Sequence, residues 1–329
     1  AATPSRIRHR SCASALPRGG GAKDALPEMA VGVYDWALVV DHVRRRSVVV
    51  DSAAACEPAV RRGAVRRLVS GDPREPPGTF KVHREPESDM DLEDYARGFR
   101  RIQDYIRDGD CYQVNFARRF SAPAEGDPWT LYQALRRVSP APFSAYLNTA
   151  DGAVLCSSPE RFLHLSGPAV ETCPIKGTRP RFADPRADRR AVAGLRASAK
   201  DRAENLMIVD LLRNDLSKVA RVGSVWVPQL CGLESFASVH HLVSAVEAEL
   251  RPGLGPVDLL RATFPGGSIT GAPKIRAMEI IHELEAARRG PYCGAVAWIG
   301  FDGAMDSSII IRTLVIDGPS VILQAGGGI

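Results

Sequence analysis

The 329-residue chain lacks both a long apolar run and a cysteine pattern that could build a covalent or metal framework. A membrane-spanning helix needs about 20 consecutive apolar residues, whereas the apolar stretches here have strand length or are interrupted by charges. The seven cysteines are odd in number, scattered and never spaced as C-x-x-C. This usage argues against a disulfide scaffold and against a structural zinc site. We therefore expect a soluble protein of the reducing cytoplasm.

Aromatic residues and excess positive charge are also scarce. Aromatics make up 6% of the chain, and the formal net charge is only +5. Residues 1–25 contribute +4 of that charge, so the remaining chain is nearly neutral. Nucleic-acid-binding domains usually carry a basic stripe or patch of their own. We therefore expect no nucleic-acid surface, and the hydrophobic content of 45% predicts a globular protein with a large core.

Lysine is the rarer of the two common cationic residues, with six lysines against 37 arginines. Arginine cannot lose its proton near neutral pH, whereas a lysine amine can. In a chain that otherwise uses arginine for charge, a lysine more often marks a place where a neutral amine is needed. This bias directs attention to Lys176 and Lys274.

The pattern along the chain predicts one disordered segment and one domain. Residues 1–27 are rich in Arg, Ser, Ala and Gly and have no apolar period, which predicts a disordered basic segment, with a transit peptide as the less favoured alternative. Residues 28–329 are predicted to form a single domain. Its strands and helices do not alternate as regular β-α-β units, which favours an α+β fold with antiparallel sheets.

Local periodicities predict the main elements of this domain. Helices are expected over residues 90–106, 185–197 and 199–218, and a further helix should begin near Pro273 and run through 278–289. Strands are expected over 34–41, 47–51, 111–120, 154–165 and 307–316, the first two as a hairpin.

Lys176 stands between Pro174 and Gly177, in a segment expected to be a strand that ends in a tight turn. An exposed lysine is the more common state for this residue type. A strand end beside glycine and proline can, however, hold an amine against a ligand, and burial would lower the amine's pKa toward nucleophilic reactivity.

Two charged residues interrupt apolar segments. Glu160 lies in the middle of 154–165, where a buried carboxyl group must be either paired or protonated as a general acid. Pairing with Arg161 or another arginine is an equally open alternative. Arg312 interrupts 307–316, where burial would require an anion such as a substrate carboxylate.

Three further patterns allow more than one interpretation. Asp201 and Glu204 lie one turn apart on a predicted helix and could present a carboxylate to Mg²⁺ or simply face solvent. His240 and His241 precede a strand, where a histidine is more often a satisfied polar group than a catalyst. The stretch 266–274 is not a nucleotide-binding loop, because two residues separate its last glycine from the lysine; it could bind a carboxylate at the following helix or only reverse the chain.

Together these segments resemble the chorismate-utilising enzyme family. The matching blocks are YDWALVVDH (34–42), GDCYQVNF (109–116), SPERF (158–162), PIKGTRPR (174–181), AENLMIVDLLRND (203–215), VHHLVS (239–244), FPGGSITGAPKIRAMEIIHELE (264–285) and IRT (311–313). They extend over residues 26–329. The third residue of P-I-x-G-T is alanine in the anthranilate synthases and lysine in the aminodeoxychorismate synthases, so Lys176 indicates the second subfamily.

The resemblance implies a fold of two antiparallel β-sheets in a sandwich with helices on the outside. It also implies a transferase reaction: Lys176 adds covalently to C2 of chorismate while the C4 hydroxyl leaves, and Glu160 protonates the leaving group. Ammonia from a separate glutamine amidotransferase then displaces the lysine, which yields 4-amino-4-deoxychorismate for p-aminobenzoate and folate biosynthesis.

The resemblance further assigns binding roles. It implies Mg²⁺ bound by Glu204 and a possible tryptophan pocket formed by Pro142, Phe143 and Ser144. Relative to the family, the domain is expected to be truncated at both ends, without the acidic stretch that supplies a second Mg²⁺ carboxylate. The implied substrate-binding residues are Gln113, Gly177, Thr178, His241, Tyr292, Arg312, Gly326, Gly327 and Gly328.

Two alternatives remain open from the sequence. The chain could be an anthranilate synthase component I in which Lys176 has no covalent role. It could also be a catalytically impaired fragment that only binds a ligand or partner.

Overall fold

A computed structural model describes residues 26–51, 63 and 78–329. The chain divides into two compact units, one holding residues 1–15 and 27–79 and the other 16–26 and 80–329. Nearly all of the predicted disordered segment lies outside the described residues, and the proposed division at residue 27 stays a prediction. None of the helices in the described part of the chain could serve as a membrane span.

The first unit contains the predicted hairpin. Strands β1 (Trp36–Asp41) and β2 (Arg46–Asp51) pair in antiparallel register, with Trp36 opposite Asp51. The turn between them is closed by the Asp41 carboxylate, which accepts the backbone N–H groups of Val43 and Arg44 at 3.0 and 2.9 Å. The prediction of a hairpin from the two β-branched runs is confirmed.

The second unit contains a seven-stranded sheet. Its order is β10-β12-β9-β8-β15-β14, and β11 also pairs with β12. Every pair in it is antiparallel. Its strands are β8 (Arg161–Ser166), β9 (Ala169–Thr172), β10 (Ile175–Pro180), β11 (Trp226–Ser235), β12 (Val239–Glu249), β14 (Ala295–Ile299) and β15 (Met305–Ile309).

An eight-stranded antiparallel sheet completes the unit. Its order is β13-β5-β17-β16-β7-β6, and β3 and β4 also pair with the long strand β5. Its strands are β3 (Phe80–Val82), β4 (Glu87–Ser88), β5 (Gln113–Gly126), β6 (Phe143–Thr149), β7 (Gly152–Ser158), β13 (Gly271–Ala272), β16 (Thr313–Asp317) and β17 (Ser320–Gly328).

The helices begin where the sequence supplies caps. Asp91 and Asp184 accept backbone N–H groups at the starts of their helices, as aspartate does at N-caps. The predicted helices over 90–106, 185–197 and 199–218 are confirmed to within two residues. The described helices are α1 (Leu92–Arg107), α2 (Pro128–Val138), α3 (Pro185–Ala197), α4 (Ala199–Ser217), α5 (Pro256–Thr263) and α6 (Lys274–Leu284).

The largest buried cluster joins the seven-stranded sheet to α4 and α5. Ile208 and Leu212 of α4 pack with Phe162 and Leu163 of β8 in this cluster. A second cluster joins α1 and α6 to β5, with Ile102 and Phe116 among its members. The first cluster thus packs α4 against the seven-stranded sheet, and the second packs α1 and α6 against β5 of the eight-stranded sheet. Helix α4 and strand β5 supply much of the site described below.

Two sequence predictions of single strands are wrong, and the correction locates the site. Residues 154–165 form β7 and β8, and residues 307–316 span β15 and β16; in each case the two strands belong to different sheets. Both halves are apolar, so hydrophobicity alone could not reveal the break. The two crossings, at 159–160 and 310–312, lie side by side: Ser157 N–H donates to the Arg312 carbonyl at 3.1 Å, and Ile309 N–H to the Glu160 carbonyl at 3.2 Å. We call this pair of crossings the sheet junction.

Two boundaries also differ from prediction. Helix α6 ends at Leu284 instead of continuing to residue 289, because Glu285 adopts an extended backbone (φ −79°, ψ 129°) and its carboxylate accepts the Ala117 N–H at 2.9 Å. Strand β10 does not end beside Lys176 but continues through an irregularity in register to Pro180.

Candidate active site

The amine of Lys176 and the carboxyl group of Glu160 both contact Ser268. Lys176 Nζ donates a 2.7 Å hydrogen bond to the carbonyl oxygen of Ser268. The side chain of the same serine lies close enough to the Glu160 carboxyl group to lower its pKa, against the larger rise that burial causes. Ser268 is buried in a 3₁₀ turn, Gly267–Ile269, which lies within the glycine-rich stretch. One residue of that stretch therefore joins the candidate nucleophile to the candidate acid.

Glu160 is a buried carboxyl group at the sheet junction, with 5% of its surface exposed. Burial raises its pKa above the ordinary value, because the charged form loses its hydration. The side chain of Ser268 and the charges of Lys176 and Arg312 oppose this rise without cancelling it. A carboxyl group with a raised pKa can hold a proton and donate it, as a general acid must.

The alternative that Glu160 pairs with Arg161 is not realised. Successive residues of a strand point to opposite faces, and the Arg161 guanidinium contacts Glu171 at 2.8 Å and Asp306 at 3.2 Å. It also lies 5.3 Å from the Phe143 ring centroid. Arg161 is thus paired with other carboxylates and does not neutralise Glu160.

Gly177 allows β10 to approach α4 next to Lys176. Its φ of +90° lies in the region that favours glycine, and a Cβ there would come within 3.0 Å of Asp201 Cβ and 3.1 Å of Leu195 Cδ1. The following residue, Thr178, places Oγ1 2.8 Å from Nδ1 of His241. The backbone around Lys176 is therefore held by both a close approach and a side-chain contact.

His241 is an uncharged imidazole at neutral pH. Burial lowers its pKa to about 4, and the charge of Arg312 adds to the effect. Its Nδ1 contacts Thr178, while its Nε2 is buried without a hydrogen-bond partner among the described residues. A buried polar atom without a partner is unusual in native structures, so this nitrogen is well suited to contact a ligand.

The lowered pKa predicts a pH-dependent contribution of His241 to stability. Between pH 6.5 and about 4 the unfolded chain binds a proton at this position that the folded chain does not, so the free energy of unfolding falls as the pH falls through that window. From pH 7.5 to pH 5, we expect the free energy of unfolding of His241→Asn to fall by about 2 kcal/mol less than that of the unaltered chain.

Urea denaturation at both pH values would measure that contribution. His282→Asn is the matched control, because His282 is exposed on α6 and should show the same pH dependence as the unaltered chain. Identical slopes for His241→Asn and the unaltered chain would contradict the assignment.

Gln113 connects β5 to the predicted metal ligand on α4. Its Nε2 donates to Oε1 of Glu204, which fixes the amide orientation and leaves Oε1 of Gln113 buried without a partner among the described residues. A Cβ on Gly328 would come within 2.5 Å of Glu204 Oε1. The end of β17 therefore lies against this pair of side chains.

Tyr292 is held beside β5 by a buried ion pair. Arg289 contacts Glu285 at 2.6 Å and donates to the carbonyl oxygens of Ile269 and Asn115 at 2.8 and 2.6 Å. Its guanidinium lies 5.8 Å from the Tyr292 ring centroid. The pair thus ties the 3₁₀ turn to β5, next to a tyrosine that the resemblance assigns to substrate binding.

Arg312 lies at the sheet junction and not inside a strand. Its φ is +50° and the residue is exposed, so the expectation that it interrupts one continuous strand is wrong, but partial burial of the guanidinium still lowers its pKa. The physical reason is the crossing between sheets, which turns the chain at this residue. The charge of Arg312 still acts on both Glu160 and His241, which places it at the site.

Lys274, the second lysine to which the low lysine content directed attention, has a structural partner. Its amine pairs with the buried carboxylate of Asp215 on α4 and donates to the carbonyl oxygens of Thr263 and Pro265 at 2.7 Å each. All three of its donors are thereby used. Lys274 anchors the glycine-rich stretch to α4 and is not available as a nucleophile.

The three residues predicted to bind tryptophan do not share one surface. Pro142 and Ser144 line an open groove of about 590 Å³ beside α2, together with Arg136 and Arg137. Phe143 instead packs under Arg161, because alternate residues of β6 face opposite ways. Tryptophan binding stays a prediction.

Most of the predicted site residues are brought together, and the structure adds three that sequence reasoning missed. Ser268 bonds to Lys176, whereas Arg289 and Asn115 bond to each other and lie beside Tyr292; no local spacing encodes these contacts. A signal did exist for Ser268, since it lies in the glycine-rich stretch that was considered only as a turn or an anion site. Arg289 was not identified as a site residue because the sequence predicted that α6 extends to it.

Comparison with known proteins finds relatives that match most of the chain. The chain is 50% identical over 314 residues to aminodeoxychorismate synthase component 1 of Klebsiella aerogenes, and the aligned residues cover 95% of this chain and 68% of that protein. It is 42% identical over 329 residues to an anthranilate synthase component 1 of Haloarcula marismortui, covering 95% and 67%. The crystal structure of anthranilate synthase component I from Streptococcus pneumoniae superposes with a TM-score of 0.77 at 31% identity, over 90% of this chain and 67% of that one.

These relatives confirm the predicted α+β fold and the predicted resemblance to aminodeoxychorismate synthase component I, with the anthranilate synthases more distant. A model of the chorismate binding enzymes matches residues 11–329, and the chain therefore belongs to that family.

Proposed function

We propose that this protein converts chorismate and ammonia to 4-amino-4-deoxychorismate, a transferase reaction that leads to p-aminobenzoate and folate. The observation that carries the proposal is the contact of Lys176 and Glu160 with one buried serine. Relatives at 50% identity are named aminodeoxychorismate synthase component 1, which supports the same reaction.

The first step forms a covalent bond to Lys176. Its amine, in the unprotonated state, attacks C2 of the cyclohexadiene ring; both conjugated ring double bonds shift by one position, and the bond between C4 and the hydroxyl oxygen breaks. Glu160 gives its proton to that oxygen, so water leaves. The buried carboxyl group, whose pKa is raised, is suited to this donation.

The second step reverses the displacement. Ammonia attacks C4, both ring double bonds shift back to their original positions, and the bond between C2 and the lysine nitrogen breaks. The amine and the carboxylate then return to their starting protonation states through solvent. A glutamine amidotransferase partner would supply the ammonia, in keeping with the name "component 1" of the relatives.

Mg²⁺ fits the site through one protein carboxylate. Within the described residues no group of three or more His, Cys, Asp and Glu is arranged to hold a metal, but Mg²⁺ is often bound by one or two carboxylates plus waters and ligand oxygens. Glu204 would be that carboxylate, with Gln113 orienting it. When bound, the ion would neutralise a substrate carboxylate.

A product assay tests the proposal. The protein is incubated with chorismate, Mg²⁺ and ammonium, and the lyase that releases p-aminobenzoate from aminodeoxychorismate is then added. We expect p-aminobenzoate only after the lyase is added. Direct formation of anthranilate without the lyase would favour the anthranilate synthase alternative, and no product at all would favour a chain that only binds.

A further inference from the structure

Three buried polar atoms near the glycine-rich stretch have no hydrogen-bond partner among the described residues: Gln113 Oε1, Asn115 Nδ2 and His241 Nε2. The resemblance already assigns Gln113 and His241 to the substrate site. No role has been assigned to Asn115, although only 7% of its surface is exposed. A buried amide N–H that makes no bond loses its hydration without compensation, which is a state that a ligand can relieve.

The backbone of Asn115 is fixed on three sides. It pairs with Gly328 in the register of β5 and β17, its N–H donates to the Thr270 carbonyl at 2.8 Å, and its carbonyl accepts from Arg289 at 2.6 Å. Residues two apart on a strand share a face, so its side chain projects on the same side as Gln113. A side-chain amide that makes no hydrogen bond, on a backbone held in place, is preorganised to bind a ligand.

The side chain also lies beside Tyr292. Burial raises the pKa of the Tyr292 hydroxyl, and the neighbouring Asn115 amide opposes part of that rise. The carboxylates of this region are engaged: Glu285 by Arg289 and the Ala117 N–H, and Glu204 by Gln113. Nδ2 is a donor only and forms no hydrogen bond with a described residue, although the Tyr292 hydroxyl is its neighbour; an acceptor that the ligand brings would therefore satisfy it.

We infer that Asn115 is a substrate-contacting residue, whose side-chain N–H binds a carboxylate oxygen of the ring substrate beside Tyr292. The inference rests on the proposed function, because chorismate is the dicarboxylate concerned. The contact is made by binding alone, so it does not require the covalent step.

Two substitutions test the contact. Asn115→Leu keeps the size but removes the unpaired amide, and Asn115→Asp keeps the shape but replaces the donor with an anion. Chorismate affinity is measured by calorimetry without ammonia, and the melting temperature is measured without ligand. Asn148, exposed on β6, supplies the matched controls Asn148→Leu and Asn148→Asp.

We expect Asn115→Leu to melt at or above the temperature of the unaltered chain while binding chorismate about tenfold more weakly. Asn115→Asp should bind about 100-fold more weakly, because a carboxylate then faces a carboxylate. Both Asn148 controls should bind normally. A purely structural asparagine would show the opposite pattern, with a lower melting temperature and unchanged affinity.

Two results would overturn the inference: affinities of both Asn115 variants within twofold of the unaltered chain, or failure of both variants to fold, since Asn115 would then be structural. If only Asn115→Asp fails to fold, Asn115→Leu decides. Normal binding by the variants leaves the proposed function intact, whereas absence of chorismate binding by the unaltered chain sinks the proposed function and the inference with it.

Discussion

Replacement of Lys176 by alanine should abolish both the covalent adduct and the formation of aminodeoxychorismate. The change removes the only atom proposed to bond to C2, and nucleophilic participation cannot be replaced by the remaining neighbours, because Ser268 contributes a carbonyl oxygen to this contact and Lys274 is committed to Asp215. We expect turnover to fall by at least about 1,000-fold, the scale seen when a nucleophile is removed.

Intact-mass spectrometry after incubation with chorismate, without ammonia, measures the adduct directly. The unaltered chain should gain the mass of chorismate minus water, and Lys176→Ala should gain nothing. Lys200→Ala is the matched control, because Lys200 is exposed at the start of α4 and its loss should leave the adduct unchanged. Unchanged aminodeoxychorismate production by Lys176→Ala would refute the nucleophile.

The same variant should also be assayed for anthranilate. A small residue then stands in P-I-x-G-T, as in the anthranilate synthases that the sequence resembles, and ammonia gains the space from which the amine attacked C2. Anthranilate from Lys176→Ala, with none from the unaltered chain, would indicate that this position selects the ring carbon that is aminated.

Replacement of Glu160 by glutamine should have opposite effects on activity and stability. Without the acid, water leaves C4 poorly, and general acid catalysis contributes about 100-fold to 10,000-fold in rate. The pKa of Glu160 is raised in the folded protein, so folding favours the protonated form; the stability this contributes is present below the unfolded pKa and lost as pH rises. A neutral glutamine escapes that loss, and we expect Glu160→Gln to unfold at a higher temperature than the unaltered chain at pH 8.

Thermal unfolding at pH 5 and pH 8 and the rate of adduct formation test both effects together. The gain in melting temperature should be larger at pH 8, and the adduct should form at least about 100-fold more slowly. Glu85→Gln, at an exposed position, should alter neither. An active Glu160→Gln variant would exclude the general-acid role, and a variant destabilised more at pH 8 than at pH 5 would show that the carboxyl group is charged and paired instead.

The helices and their ends followed from local chemistry. Asp91 and Asp184 cap where an aspartate side chain can reach the first free N–H groups, and the apolar period of residues 90–106 predicted α1, whose Ile102 packs with Phe116 of β5 in the structure. The hairpin of β1 and β2 was equally local. Motif order alone was sufficient to predict the family, which the relatives confirm.

By itself, the amino-acid sequence determined the fold class, helices α1, α3 and α4 and the candidate reactive groups Lys176 and Glu160, because these depend on short-range periodicity and on side-chain chemistry. Only the tertiary structure decided that two apolar runs cross between sheets and that Ser268 joins the amine to the acid across 92 residues of chain. It also separated Lys274, a buried structural cation, from Lys176. These features depend on contacts between distant segments, and burial and the partners of a charge are properties of packing that no local spacing encodes.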